Sequence, residues 1–484
     1  MATGADRATI FALASAPGAA GVAVWRVSGA QASAAFAALC DRSLPTPRAM
    51  TRVRVRHPGA DAAFDDGFAV WFPGPASFTG EDTLEFHIHG GRAVSRAMAR
   101  ALSAVEGVRP AIAGEFTRRA VEAGKLDLTQ AEGIADLVAA ETDAQHRQAR
   151  RQLEGALGCL YDGWKQEILT ILARFEAGMD FPDEDIPAEI FARTRPRLEA
   201  LCRAMTAHLG DRHRGERIRE GLRVAVTGAP NVGKSSLVNA LARRDVAIVS
   251  RRPGTTRDVV EVALDLGGLA VIVGDTAGLR ETEDEIEAEG VRRARSWAAA
   301  ADIVLTVIDA RTWIERGPTG VDRAGETATA SARRLIVVNK IDASPGARLV
   351  RPAGPTTASA GEPMGVKGEP RVLAAARPAW SAASAPVVFL SARTGEGLPD
   401  LLDALRRLSD ELLGQTEAAA ITRVRHRRGV EAAQESLSRA LAQEEVELAG
   451  EDLRHALRSL GQITGEVGVE DVLDVVFREF CIGK

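Results

Sequence analysis

Gly228-Ala229-Pro230-Asn231-Val232-Gly233-Lys234-Ser235 decides the fold of this chain through what stands on either side of it. Leu222 to Thr227 (LRVAVT) is a short apolar, β-branched run that predicts a strand, and Ser236 to Arg243 repeats apolar positions at helical spacing. A glycine-bounded turn between strand and helix offers a phosphate chain backbone N–H groups and the positive end of a helix dipole. Gly228 and Gly233 let the main chain approach closely, Lys234 reaches the β and γ phosphates, and the Ser235 hydroxyl takes one site on Mg²⁺. That ion keeps most of its water, so few protein ligands suffice.

Companion segments follow in order. Gly254-Thr255-Thr256-Arg257-Asp258 carries a threonine, Thr256, suited to the Mg²⁺ shell. Leu269 to Val273 predicts a buried strand leading into Asp275-Thr276-Ala277-Gly278, where Asp275 holds the metal through water and the Gly278 amide senses the γ phosphate. Asp302 to Ile308 predicts another strand, and Leu335 to Val338 one that delivers Asn339-Lys340-Ile341-Asp342. An acidic side chain there matches the two neighbouring donors on the Watson–Crick edge of guanine, which adenine lacks. Val387 to Leu390 leads into Ser391-Ala392, a turn placed to close the base pocket. These spaced signals predict a GTPase of the translation-factor-like class, with Asn231, Val232, Gly233, Lys234, Ser235, Ser236, Asp275, Thr276, Ala277, Gly278, Asn339, Lys340, Asp342, Ser391 and Ala392 on the nucleotide.

At 484 residues the chain has room for about three domains. A hydrophobic share of 45% and a charged share of 26% are those of an ordinary globular protein. Net charge is −5, so RNA contact has to come from local patches. Cys40, Cys159, Cys202 and Cys481 have no metal spacing, which suits reduced thiols. No apolar run approaches membrane-spanning length and the N-terminus lacks a secretory pattern, so a cytoplasmic protein is expected.

Residues 1–120 mix short strands (22–27, 67–72, 83–88) with helices such as 93–105, an α+β pattern. Residues 121–220 read as helical, with 128–140 and 145–177 as the main runs. The nucleotide domain occupies 221–413, and helical spacing resumes over 414–484. The expectation is a multidomain α+β and α/β protein: an N-terminal domain, a discontinuous all-helical domain, and an inserted P-loop domain built on a doubly wound sheet. Residues 343–386, rich in Ala, Pro, Gly and Ser, read as an insertion that is flexible in part.

Further motifs carry a family likeness: FTGEDTLEFHIHGG (78–91), GEFTRRAVEAGKLDLTQAEGIADL (114–137), DFPDED (180–185), ITGEVGVEDVLDVVF (463–477) and the terminal Phe480-Cys481-Ile482-Gly483-Lys484. With a GTPase embedded in helices, the chain resembles the MnmE (TrmE) family of tRNA modification GTPases, which is grouped with the TrmE-Era-EngA-YihA-Septin-like GTPases. That resemblance implies a homodimer whose N-terminal domain dimerises and binds folate, and which works with the flavoprotein MnmG as a heterotetramer. It implies addition of an aminomethyl-type or carboxymethylaminomethyl group to C5 of the wobble uridine in certain tRNAs, with the one-carbon unit taken from 5,10-methylenetetrahydrofolate or 5-formyltetrahydrofolate.

By the same resemblance, Arg26, Glu85, Lys125 and Lys484 are the folate contacts. Leu279 stands where many small GTPases carry a water-orienting glutamine, so another group has to serve, and the family match is Glu287. No arginine finger is evident; the resemblance assigns Asn231 with Ser250, Arg252 and Thr255 to K⁺, inside a loop (Ser250, Arg251, Arg252, Pro253, Gly254, Thr255, Thr256) that covers the phosphates. Arg423, Arg425, Arg427, Arg428 and His426 are candidates for tRNA contact, set against a charged helical face. His87 and His89 are expected on opposite faces of one strand and therefore not as a metal pair.

Overall fold

The computed structural model describes residues 8–179, 186–244, 246–248, 261–275, 297, 299–316, 332–344, 385–414, 419–443, 445–466, 473, 476–477, 480 and 483. Two compact units emerge: Met1–Ala140 with Arg147–His213 and Ala419–Lys484, and Glu141–His146 with Arg214–Ala418.

In the first unit, strands β1 (Thr9–Leu13), β2 (Ala23–Ser28), β3 (Thr51–Arg56), β4 (Ala63–Phe72), β5 (Thr83–Ile88) and β6 (Val108–Pro110) form one sheet in the order β3-β4-β5-β2-β1-β6. All neighbours are antiparallel except β1 and β6. Side chains alternate across a strand, so β2 divides cleanly: Ala23, Trp25 and Val27 join the core, while Arg26 faces the other way. Helices Ala32–Leu39 and Arg92–Ser103 cover the apolar face, packing Phe36, Leu39, Met98 and Leu102 on Val53, Val55, Leu84 and Phe86. Each such side chain, fully buried, contributes about 1.5–3 kcal/mol. On the opposite face Ile10 and Ala12 meet Ala111 and Phe116.

The helical run expected over 145–177 is two helices, Asp143–Leu153 and Ala156–Met179. The break is at Gly155, whose φ of 89° lies in the left-handed region that helical residues avoid. Leu128–Ala139 opens on a capping box in which the Asp127 carboxylate accepts from the Gln130 N–H and the Gln130 side chain accepts from the Asp127 N–H. Ala156–Met179, Ile186–Leu209, Val424–Ala442 and Val446–Thr464 share one core, in which Tyr161, Ile168, Leu198 and Met205 pack with Val430, Leu437, Leu453 and Leu460.

In the second unit β7 (Leu222–Thr227), β8 (Ala247–Ile248), β9 (Glu261–Asp265), β10 (Ala270–Asp275), β11 (Ile303–Asp309), β12 (Arg333–Asn339) and β13 (Val387–Phe389) form a sheet in the order β13-β12-β11-β7-β10-β9-β8. The run β13-β12-β11-β7-β10 is parallel, and β9 and β8 add antiparallel strands at one edge. Buried on both faces, β7 and β11 read as near-continuous apolar stretches, as interior parallel strands must. The order leaves β7 between β10 and β11, so successive connections diverge there, the kind of switch point beyond whose carboxyl ends open parallel sheets bind ligands.

Candidate nucleotide and anion sites

The stretch 228–235 leaves the carboxyl end of β7 and turns into helix Lys234–Ala242. Gly228 has a φ of 140°, and a Cβ there would strike the Val307 carbonyl; Gly233 has a φ of 98°, and a Cβ there would strike Asn339 Nδ2. Both positions therefore exclude any larger residue, which keeps the main chain bare at this turn. Asn231 also takes a positive φ, 62°. Lys234 Nζ donates to the carbonyls of Gly228 (2.9 Å) and Ala229 (3.0 Å), which folds its ammonium over the turn.

Asn339 at the end of β12 joins three parts of this site. It is buried, its Nδ2 donates to the Val232 carbonyl at 2.9 Å, and its Oδ1 accepts from the Ala392 N–H at 3.0 Å. Lys340 Nζ reaches the Asn231 carbonyl at 2.6 Å and the Asp309 carboxylate at 2.9 Å. The Asp342 carboxylate accepts from the Ser391 hydroxyl at 2.6 Å and pairs with Arg393 at 2.6 Å. The Ser391 bond, helped by Arg393, outweighs desolvation and holds Asp342 below the usual carboxylate range. Burial alone would raise Asp309, but the Lys340 ammonium and the Arg311 N–H outweigh it, and the group is lowered. Asp309 thus holds Lys340, while Asp342, tied to Ser391 and Arg393, presents an acceptor that suits a ligand with adjacent N–H donors.

Asp309 and Arg393 were absent from the sequence reading. Asp309 was detectable, since it closes a strand that ends at the same edge as 339–342; Arg393 had no comparable signal. Of the expected contacts, Ser250, Arg251, Arg252, Pro253, Gly254, Thr255, Thr256, Thr276, Ala277, Gly278 and Glu287 lie outside the described residues, and for Asp275 only the strand position is described.

On the first unit's sheet, Arg26 and Glu85 are register partners between β2 and β5 and bond each other, Nε to Oε1 at 2.9 Å. The Arg26 guanidinium lies 5.4 Å from the Phe78 ring and 5.8 Å from the Phe116 ring. A Cβ on Gly80 would meet the Lys125 side chain at 3.6 Å, so Lys125 belongs to the same loop cluster. Beside it, Glu81 accepts from Ser28 Oγ at 2.8 Å and from Arg119 at 3.0 Å. Gly483, with a φ of 108°, sits where a Cβ would strike the Leu13 carbonyl, at the end of β1, the strand beside β2. Lys484 and Cys481 lie outside the described residues.

Two sequence readings need correction. His87 and His89 do not divide by face, because residues two apart on a strand share one. What separates them is that β5 stops at Ile88: His87 Nε2 lies 3.5 Å from Glu85, while His89 bonds Asp65 at 2.7 Å. Apart from exposed Arg428, the basic run from Arg423 to Arg427 is also not an open charged face. Arg425 grips the fully buried Glu132 through two bonds of 2.6 and 2.7 Å, and His426 Nε2 meets the same carboxylate at 2.7 Å. Arg423 bonds Asp136 at 2.8 Å, and Arg427 bonds Asp211 at 2.7 Å. Burial alone would raise Glu132; His426 and Arg425 outweigh it and hold the carboxyl well below its usual range. Burial pushes His426 down, against the pull of Glu132, and the ring donates through Nε2 to that carboxylate.

A family model described as "MnmE helical domain" matches residues 128–481, and one described as "GTP-binding protein TrmE N-terminus" matches 9–125. A "tRNA modification GTPase MnmE" from Rhodospirillum rubrum is 49% identical over 488 residues, covering 98% of this chain and 99% of the relative. One of the same name from Parvibaculum lavamentivorans is 48% identical over 480 residues, covering 98% and 100%. Among solved structures, the G domain of the T. maritima FeoB iron transporter matches at 22% identity and a TM-score of 0.23, covering 39% of this chain and 98% of that one.

Proposed function

Because the chain belongs to the MnmE family of tRNA modification GTPases, we propose that it hydrolyses GTP with Mg²⁺, is stimulated by K⁺, and acts on tRNA. The carrying observation is Asn339, one buried side chain that ties the phosphate loop at Val232 to the base-closing turn at Ala392. Those two bonds link the proposed phosphate and base subsites through one residue, and Asp342, held below the usual carboxylate range, would supply the acceptor that guanine requires. Ser235, Thr256 and Asp275 would hold Mg²⁺, which would supply charge neutralisation between the phosphates. Asn231, Ser250, Arg252 and Thr255 would hold K⁺, and Glu287 would orient the attacking water.

The second half of the reading is folate-dependent modification of the wobble uridine, carried out by a homodimer with MnmG. It is supported by the Arg26–Glu85 pair on an aromatic shelf and by Gly483 at the end of β1. A carboxylate held by arginine can accept from the donor edge of a pterin, while Lys125 and Lys484 suit the glutamate tail. The expected division is an N-terminal folate domain (1–120), helices (121–220 and 414–484), and a GTPase domain (221–413), in the cytoplasm.

The test is GTP hydrolysis at equal ionic strength in KCl and NaCl. Hydrolysis should be much faster in KCl, Asn231→Ala should flatten the difference, and Glu287→Ala should lower the single-turnover rate at least about tenfold while GTP still binds. Equal rates in both salts would remove the potassium role. Removing residues 481–484 should weaken tetrahydrofolate binding by calorimetry and leave GTP affinity unchanged; full-strength folate binding would exclude Lys484.

A further inference from the structure

Beside β1 and helix Arg92–Ser103 lies a cleft of about 670 Å³, walled mainly from the face of the N-terminal sheet away from Arg26, with Ala12 and Ala111 at its edge. Phe11, Leu13 and Trp25 from β1 and β2, Ala99 and Ala104 from helix Arg92–Ser103 and its end, and Pro110 line it, with Arg100 and His57 among its walls. Its surface is largely apolar. One lining residue stands out: Trp25 is only 6% exposed, and its enclosed indole N–H has no hydrogen-bond partner among the described residues. A buried donor left unpaired is destabilising, and a ligand acceptor that reached it would remove that cost.

Charge leads into the cleft. Arg92, Arg96 and Arg100 recur at a spacing of four on helix Arg92–Ser103, which places them on one face over two turns. All three residues are exposed, the helix contains no acidic residue, and none of the three pairs with a carboxylate among the described residues. A row of cations calls for an extended polyanion, whereas the cleft calls for a flat apolar group with an acceptor on its edge. A nucleotide in a strand joins those properties covalently, and single-stranded nucleic acid is held by this combination of a cationic track and an apolar platform.

We propose that this cleft takes an unstacked base of the tRNA, with the flanking phosphates running along Arg92, Arg96 and Arg100 and the Trp25 N–H donating to the base. The proposal rests on the reading that the chain acts on tRNA and adds where the strand lies. It is separate from the Arg26–Glu85 cluster because residues 25 and 26 of β2 face opposite sides of the sheet.

The full chain should be titrated with an unmodified tRNA transcript, with a single-stranded RNA oligonucleotide, and with an abasic strand of equal length. Replacing Arg92, Arg96 and Arg100 together by Gln should weaken tRNA at least tenfold and lower the slope of log affinity against log salt by about 2, at roughly 0.7 per lost contact to a single strand. Trp25→Phe keeps the ring and removes the donor; it should weaken the RNA oligonucleotide about two- to tenfold and leave the abasic strand unchanged. Ala104→Leu fills the cleft from an exposed position and should do the same even if Trp25→Phe fails to fold. GTP hydrolysis at the parental rate checks that each variant is intact. Parental tRNA binding by the triple variant would overturn the site alone, whereas a parental chain that binds no tRNA would overturn the tRNA reading with it. Polyglutamate competing as well as RNA of equal charge, or equal losses for the RNA and abasic strands in both cleft variants, would also overturn the base assignment.

Discussion

The Asp342–Asp309 corner of the second unit and the Glu132 network of the helical core use the same kinds of side chain in opposite ways. At the corner, Asp342 and Asp309 are tied to Ser391, Arg393 and Lys340, with Arg393 79% exposed in its side chain and water still at hand. In the network, Glu132 and His426 are fully buried, and the ion pairs satisfy one another. A charge kept near water stays available to a ligand; one fully enclosed can only hold the fold, and removing a single partner strands the rest. Buried networks are therefore expected to report on stability, and the corner on binding.

The largest effect should be Glu132→Gln, which leaves Arg425 without its buried counter-charge and Arg423 with Asp136 alone. Loss of one member of a buried pair costs about 3–5 kcal/mol, so the denaturation midpoint of the helical unit should fall sharply. Asp342→Asn is its counterpart: the midpoint should hardly move, while GTP affinity measured by calorimetry drops about 10²-fold or more, two charge-assisted bonds to guanine being lost. Similar destabilisation by the two variants would break the comparison.

Acid should separate the regions next. His426 is held below its unfolded value of about 6.5, so between the two values only the unfolded chain takes up the proton. Stability is then lost as pH falls through about 6.5, at no more than roughly 1.4 kcal/mol per pH unit for one group. Glu132 is lowered, so its contribution holds above the unfolded value of about 4.3 and is lost only as pH falls towards its depressed folded value. Denaturant midpoints at pH 7.5 and 5.5 should differ, and His426→Asn should shrink the gap; an undiminished gap would place the titrating group elsewhere. The smallest effect belongs to Arg393→Ala, since exposed ion pairs contribute at most about 1 kcal/mol; GTP affinity should change less than about fivefold.

How much was legible follows the same divide. Strand Leu222–Thr227 and strand Thr83–Ile88 have the limits that their apolar runs imply, because burial on a sheet writes a short-period pattern directly into the chain. β3 escaped: its Thr-Arg-Val-Arg-Val-Arg alternation is an edge pattern with arginine on one face, and the charges masked it. The helix break at Gly155 was missed because glycine within a helical pattern signals a stop only when its φ is known.

By itself the sequence determined the phosphate-loop, base-loop and terminal motifs, since each is a local run whose backbone conformation or ligand chemistry depends on neighbours a few residues away. Only the tertiary structure decided what Arg425 does: its partner Glu132 lies 293 positions earlier in the chain, and nothing local distinguishes an arginine bound for solvent from one bound for a buried carboxylate. The same holds for Asn339, whose two bonds reach 107 residues back and 53 forward. Composition and spacing record what a residue can pair with; which partner it meets is set by packing, where the enclosure of a charge is offset only by a counter-charge the fold has already brought there.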